Sequence, residues 1–139
     1  MNNSSKLLLV TGVGPGTGSA IVRYFASHGY RVAMMARNEK RLQELVKMIP
    51  GTSAFPCDVT DIDRLTTQLS LIEQDHGSPD VLIHNAVGGA FGSFMDIEPA
   101  VLERNFQVNT MALLHLARWL GPAMIERGSG SILATGNTS

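Results

Sequence analysis

The chain reads as an α/β protein built on a doubly wound parallel sheet, and three observations predict it. Short apolar runs alternate with helical patterns along the whole chain, and strands separated by helices of this length form βαβ units whose right-handed crossovers keep the strands parallel. The first run, "KLLLVTG", is continuously apolar and bounded by glycine, which suits a strand covered on both faces. A turn dense in glycine, "TGVGPGTG" from Thr11 to Gly18, then leads into the first helical pattern.

The elements follow in order. From Thr17 a helical pattern carries Ile21 and Phe25 on one side, and Gly29 supplies a stop. "RVAMMAR" is the second strand, with Met34 and Met35 as core filler. Asn38 caps a helix whose apolar stripe is Leu42, Leu45, Val46 and Ile49. "TSAFPCDV" is the third strand, and its Pro56 suits an edge position where a missing N–H does no harm. Asp61 opens a helix with Ile62, Leu65, Leu69 and Ile72 at spacings of three and four, closed by Gly77. "DVLIHNA" is the fourth strand. A loop through Gly88, Gly89 and Gly92 leads to a long helical stretch from about Pro99 to Glu126, which Gly121-Pro122 should bend or break near its end. "SILATG" is the fifth strand. In such a sheet the ligand crevice lies outside the carboxyl ends of the strands, where strand order reverses.

Composition narrows the function classes. A length of 139 residues holds one domain with a real core, and 44% hydrophobic with 17% charged residues suits a globular chain. The net charge of −1 provides no basic footprint for nucleic acid or an anionic membrane. Basic residues are scattered singly, apart from Arg37, Lys40 and Arg41. The single cysteine, Cys57, has no Cys or His at metal-ligand spacing and reads as a small buried residue at a strand end; no metal site is expected. The longest early apolar run, Leu7 to Val10, is too short for a signal-peptide core or a membrane span, so a cytoplasmic location is the default expectation.

The glycine turn is the strongest local signal. Glycines this dense before a helix allow positive φ and let a phosphate lie against backbone at the positive helix end. A P-loop would need a lysine, and none occurs between Lys6 and Lys40; G-x-G-x-x-G fails because Ser19 stands in its third position. T-G-x-x-x-G-x-G does fit, with Thr11, Gly12, Gly16 and Gly18. "CDVT", "HNAVGG", "FQVNT" and "RGSGSILATG" follow in order, and with the turn they resemble the short-chain dehydrogenase/reductase family over essentially the whole chain.

The resemblance implies a Rossmann-type sheet of strand order 3-2-1-4-5 in three α/β/α layers, as one NAD(P)-binding domain over residues 1–139. It implies that Asp58 hydrogen-bonds the adenine amino group, that Asn85 and Ala86 support the sheet and line the cofactor, and that Asn109 holds a water of a proton relay. A cap on a neighbouring backbone carbonyl is the structural alternative for Asn109. The cofactor-contacting set is then Thr11, Gly12, Gly14, Gly16, Thr17, Gly18, Arg37, Asp58, Val59, Asn85, Ala86 and Val87. His84 stands where the family often has Asn and reads as a packed or backbone-bonded histidine.

NAD asks for a carboxylate about 20 residues after the glycines, whereas NADP asks for a cation to meet the 2′-phosphate. Here Ala36 is followed by Arg37, with no acidic residue before Glu39. NADP(H) is therefore the expected cofactor and NAD(H) the alternative. The basic residue that many NADP-preferring relatives carry inside the turn is absent, and Pro15 stands there.

In the family a Tyr transfers the proton, a Lys four residues beyond it lowers the Tyr pKa, and a Ser orients the carbonyl. The two tyrosines here, Tyr24 and Tyr30, do not begin Y-x-x-x-K. The resemblance thus expects the family's catalytic carboxy-terminal portion to be missing. It places Asn137 at the serine position, with Ser139 serving only if the turn is shifted, so the catalytic candidates are Asn109, Asn137 and Ser139. Three readings stay open. The chain is the cofactor part of an NADP(H)-dependent oxidoreductase acting on a small carbonyl or alcohol, or a non-catalytic NAD(P)-binding or regulatory protein. In the third, compatible with both, the Pro99 to Glu126 helix is chiefly a homo-oligomer interface.

Overall fold

The computed structural model describes residues 5–136. Five strands, β1 (Leu7–Thr11), β2 (Arg31–Ala36), β3 (Thr52–Pro56), β4 (Val81–His84) and β5 (Ser131–Ala134), pair in parallel in the order β3-β2-β1-β4-β5. The order reverses between β1 and β4, which puts a crevice at their carboxyl ends. Pro56 does lie in an edge strand, as its missing N–H requires.

Continuous apolarity in β1 is explained by two cores. Leu7 and Leu9 face a layer formed by α3 (Ile62–His76) and α5 (Ala112–Arg127), where Leu65, Leu69, Ile72, Leu116 and Leu120 are buried. Leu8 and Val10 face the opposite layer of α1 (Thr17–Ser27) and α2 (Glu39–Met48), with Val22, Leu42 and Leu45. Each fully buried Leu contributes about 2 kcal/mol through removal of apolar surface from water. Met34 and Met35 split between the two cores in the same way and are fully buried.

Two helices start on side-chain caps. Asn38 Oδ1 accepts from the Arg41 N–H at 3.1 Å, and Asp61 Oδ1 accepts from the Arg64 N–H at 3.1 Å. Gly77, at φ 89°, ends α3.

The long helical stretch differs from its expectation. It comprises α4 (Pro99–Phe106), a π-helical turn over Gln107–Met111, and α5, which runs through Pro122 to Arg127 without breaking. Pro122 and Arg118 are both exposed, so water can satisfy the carbonyl that lost its partner. Leu116, Leu120 and Met124 hold the other side of α5 to the sheet. The irregularity sits earlier, in the π turn, where one extra residue per turn re-aims the groups it carries. Helix α4 buries no residue, and every residue of β5 is exposed.

Candidate active site

A cleft of about 1100 Å³ opens at the carboxyl ends of β1, β2, β3 and β4. Its wall contains Gly12, Gly14, Gly16, Thr17, Gly18, Arg37, Asp58, Val59, Asn85, Ala86 and Val87. Eleven of the twelve residues expected to contact a cofactor therefore share one cavity, although they span 76 residues of sequence from Gly12 to Val87.

The glycines of the turn divide into two kinds. Gly12 has φ 69°, and a Cβ there would stand 2.4 Å from the Ala86 nitrogen. A Cβ on Gly18 would stand 2.4 Å from the Gly12 oxygen. These two allow β1, β4 and α1 to approach one another. Gly14 and Gly16 line the cleft, and a Cβ on either would meet no protein atom within 4 Å. Protein packing does not demand glycine there; a side chain would instead take up space in the cleft. Ser19 Oγ and N–H both donate to the Gly14 carbonyl and hold the turn. Helix α1 starts with no side-chain cap, so its first N–H groups and its positive dipole end remain for an anion. These features fit a dinucleotide pyrophosphate.

Thr11 corrects its expectation. Its side chain is fully buried and outside the cleft wall, below the turn. Thr11 Oγ1 accepts from the Asn85 N–H at 3.1 Å and the Ala86 N–H at 3.2 Å, and lies 2.8 Å from His84 Nδ1. His84 Nε2 donates to the Val108 carbonyl at 2.9 Å. His84 is thus a packed, backbone-bonded histidine, and burial holds its pKa below the ordinary value despite the Val108 hydrogen bond. The Asn85 amide donates to the Gly12 carbonyl at 3.0 Å and accepts from Thr135 Oγ1 at 2.7 Å. It joins the ends of β1, β4 and β5.

Asp58 follows β3. Its Oδ1 accepts from the Thr60 N–H at 3.0 Å and the Thr60 hydroxyl at 2.8 Å, and its Oδ2 accepts from Arg104 of α4 at 3.1 Å. Partial burial pushes its pKa up, and these hydrogen bonds and the guanidinium charge outweigh that, leaving it below the ordinary carboxylate value. The ionised carboxylate is a hydrogen-bond acceptor facing the cleft. Cys57 beside it is buried and its thiol is pushed up to about 11 by desolvation, which fits an inert packing residue.

Asn109 ties the π turn to the loop after β4 through its amide. Its Oδ1 accepts from the Gly88 N–H at 2.9 Å and its Nδ2 donates to the Gly88 carbonyl at 3.0 Å, a two-point clamp from the π turn to the loop after β4. The bond to the Gly88 carbonyl is a contact of the kind the structural alternative describes, and the amide keeps one further donor and one further acceptor position. Asn105 was missed: its Oδ1 would stand 2.5 Å from a Cβ on Gly88, and it lines the cleft with Arg104, Asn38 and Arg41. The sequence marks Asn38 as a helix cap and Arg41 as part of the basic group with Arg37 and Lys40, and nothing local marks Arg104 or Asn105, because a place in the wall depends on how α2 and α4 lie over the sheet. Asn137 and Ser139 lie outside the described residues. Among the described residues no cluster of His, Cys, Asp and Glu could hold a metal, and no helix is long and apolar enough to cross a membrane.

The family model described as short chain dehydrogenase matches residues 6–139. The 2,3-dihydro-2,3-dihydroxybenzoate dehydrogenase of Bacillus subtilis is 30% identical, with 96% of this chain and 53% of that protein covered. A short-chain dehydrogenase of Streptomyces avermitilis superposes with a TM-score of 0.90 at 34% identity, covering 96% of this chain and 50% of that one. An L-sorbose reductase of Gluconobacter frateurii, solved with NADPH and L-sorbose, superposes with a TM-score of 0.86 at 28% identity, covering 94% and 52%. The chain spans about half the length of the curated relatives it matches. Sheet order, cleft position and these matches agree: the chain belongs to the short chain dehydrogenase family of NAD(P)-dependent oxidoreductases.

Proposed function

We propose that residues 1–139 form one NADP(H)-binding domain of an oxidoreductase that interconverts a small carbonyl compound and an alcohol. The observation that carries this reading is the single cleft in which a turn cleared by Gly14 and Gly16, an ionised Asp58 and an unpaired Arg37 stand together. Gly14, Gly16, Thr17 and Gly18 would hold the pyrophosphate, Asp58 would accept from the adenine amino group with Val59 beside it, and Ala86 and Val87 would pack along the nicotinamide side. Arg37 would meet the 2′-phosphate in a bidentate fashion, where a carboxylate would repel it. The complex of the sorbose reductase relative with NADPH supports the same preference.

When bound, the nicotinamide supplies or accepts the hydride. The residues of this chain bind and orient it. Asn109 would hold a water of the proton relay while it positions the loop after β4, and Asn137, or Ser139 if the turn is shifted, would orient the substrate oxygen. Self-association through α4 and α5 is supported by the exposed apolar side chains of Val101, Leu102, Phe106 and Leu114.

The test is a fluorescence titration of the chain with NADPH and NADH. NADPH should bind more tightly, and Arg37→Asp should weaken NADPH while keeping or improving NADH. Equal loss of both cofactors in that variant would sink the role given to Arg37.

A further inference from the structure

The π turn displaces a backbone carbonyl from its usual partner. The Ala112 N–H, which closes the turn, donates to the Gln107 carbonyl, five residues back. In an α-helix the same N–H would serve the Val108 carbonyl, four residues back. Val108 is buried, so a carbonyl left unpaired there is costly. His84 Nε2 donates to that carbonyl at 2.9 Å, in a bond that is itself buried. A side chain at the end of β4 thus supplies the donor that the π turn removes.

The next residue of the same turn, Asn109, holds the Gly88 N–H at 2.9 Å and the Gly88 carbonyl at 3.0 Å. Gly88 follows His84 in the loop after β4, and Val108 and Asn109 are adjacent in the π turn. The two attachments therefore close a ring of bonds between β4, its loop and the turn. On its other side the imidazole meets Thr11 Oγ1 at 2.8 Å, the oxygen that accepts from the Ala86 N–H of the cleft wall. Leu116, Leu120 and Met124 fix the rotation of α5 on the sheet. Closing the π turn to an α-helical one would rotate the residues before it by about 100° relative to α5, the angle of one residue at 3.6 per turn. Asn109 would then leave Gly88.

We propose that His84 is a positioning residue for the proton relay: its bond to the Val108 carbonyl holds the π turn in register and so brings Asn109 onto Gly88. This rests on the place given to Asn109 in the reaction above. Leucine at position 84 fills similar space and offers no donor, whereas glutamine offers an N–H at a reach close to that of Nε2.

Amide exchange of the chain reads the clamp directly, because the Gly88 N–H donates to Asn109. Gly88 should exchange at least about tenfold faster in His84→Leu, beyond any change at the sheet amides of Leu9 and Met34, and should return to within about threefold of the wild type in His84→Gln. In Asn109→Ala, where Gly88 is already released, adding His84→Leu should change its rate by less than about twofold. A Gly88 rate that rises only in step with Leu9 and Met34 overturns the proposal, since His84 would then serve the core alone. A folded His84→Gln whose Gly88 stays fast also overturns it, as do independent effects of the two substitutions. Nitrogen NMR of the wild-type imidazole keeps the test open if His84→Leu does not fold: a hydrogen on Nε2, coupled across the bond to the Val108 carbonyl carbon, supports the proposal, and an Nε2 without one overturns it. Each of these readouts is made without cofactor, so a chain that fails to bind NADPH sinks the cofactor reading and not this one.

Discussion

Thr11 Oγ1 and His84 Nδ1 lie 2.8 Å apart beneath the mouth of the cleft, and that bond fixes the protonation state of the imidazole. His84 Nε2 faces the Val108 carbonyl, which can only accept, so Nε2 carries the hydrogen. Nδ1 must then accept, from the Thr11 hydroxyl, while the hydroxyl oxygen accepts from Asn85 and Ala86. A second proton on the ring would face an oxygen that already serves two donors, and would leave the hydroxyl hydrogen without an acceptor.

Stability should therefore fall as the solution is acidified through the ordinary histidine value of 6.5, because the unfolded chain takes up a proton that folded His84 resists. The loss should level off below the depressed folded value. Urea midpoints measured between about pH 7.5 and 5 would reveal this slope, and His84→Gln should remove its share of it. An unchanged slope in that variant would contradict the neutral, buried imidazole.

Removing the hydroxyl should be expensive. Thr11→Val leaves two backbone N–H groups and Nδ1 of His84 without a partner, and the expected cost is about 3 kcal/mol. Thr11→Ser keeps the oxygen and should cost about 1 kcal/mol through the lost methyl group. Denaturant unfolding compares the two directly.

The two kinds of glycine should separate stability from binding. Gly12→Ala forces a positive φ on alanine and drives its Cβ into the backbone at Ala86, so a loss of about 3 kcal/mol or more is expected. Gly14→Ala meets no protein atom and should unfold as the wild type does, yet bind NADPH at least about tenfold more weakly because its methyl group occupies the cleft. Thermal unfolding and a cofactor titration on the same samples would show whether the effects divide in this way.

Arg104→Gln should alter Asp58 more than it alters the fold. The ion pair is 49% and 37% exposed, so its contribution to stability is expected to be below about 1 kcal/mol. Without the guanidinium the Asp58 pKa should rise toward 3.8, while the Thr60 hydrogen bonds continue to hold it down. A carboxyl carbon NMR titration of both proteins measures the shift, and an unmoved pKa would assign the depression to Thr60 alone.

Asn109→Ala should release the clamp on Gly88. The expected outcome is faster amide exchange from Val87 to Gly92 and a stability loss of about 1 kcal/mol, since both hydrogen bonds are exposed. Unchanged exchange at Gly88 would mean that Asn105 alone holds the loop.

Much of the fold was legible because its signals are local. The continuously apolar first run suits a strand covered twice, and β1 is covered by α1 and α2 on one face and α3 and α5 on the other. The capping of α2 and α3 by Asn38 and Asp61 follows from side-chain oxygens that reach back to N–H groups three residues on. The glycine turn, Asp58 and the stretch after β4 were recognisable for the same reason, each being a short pattern at a strand end.

What the sequence determined by itself is the alternation of strands and helices and the glycine turn, because period and turn chemistry act over a few residues; the strand order was what the family resemblance implied, and the sheet has it. Contacts across the chain were left to the tertiary structure. Thr11 moved from the cofactor list to a buried bond with His84, 73 residues away. Asn109 became a clamp on Gly88, and Arg104 and Arg41 entered the cleft wall. No local spacing encodes these, since they depend on where helices settle over the sheet. The long helix kept its course through Pro122 because that proline faces water while Leu116, Leu120 and Met124 hold the other side. Only the packed molecule decides which groups meet, because a hydrogen bond forms where two chains of packing constraints end within about 3 Å of each other.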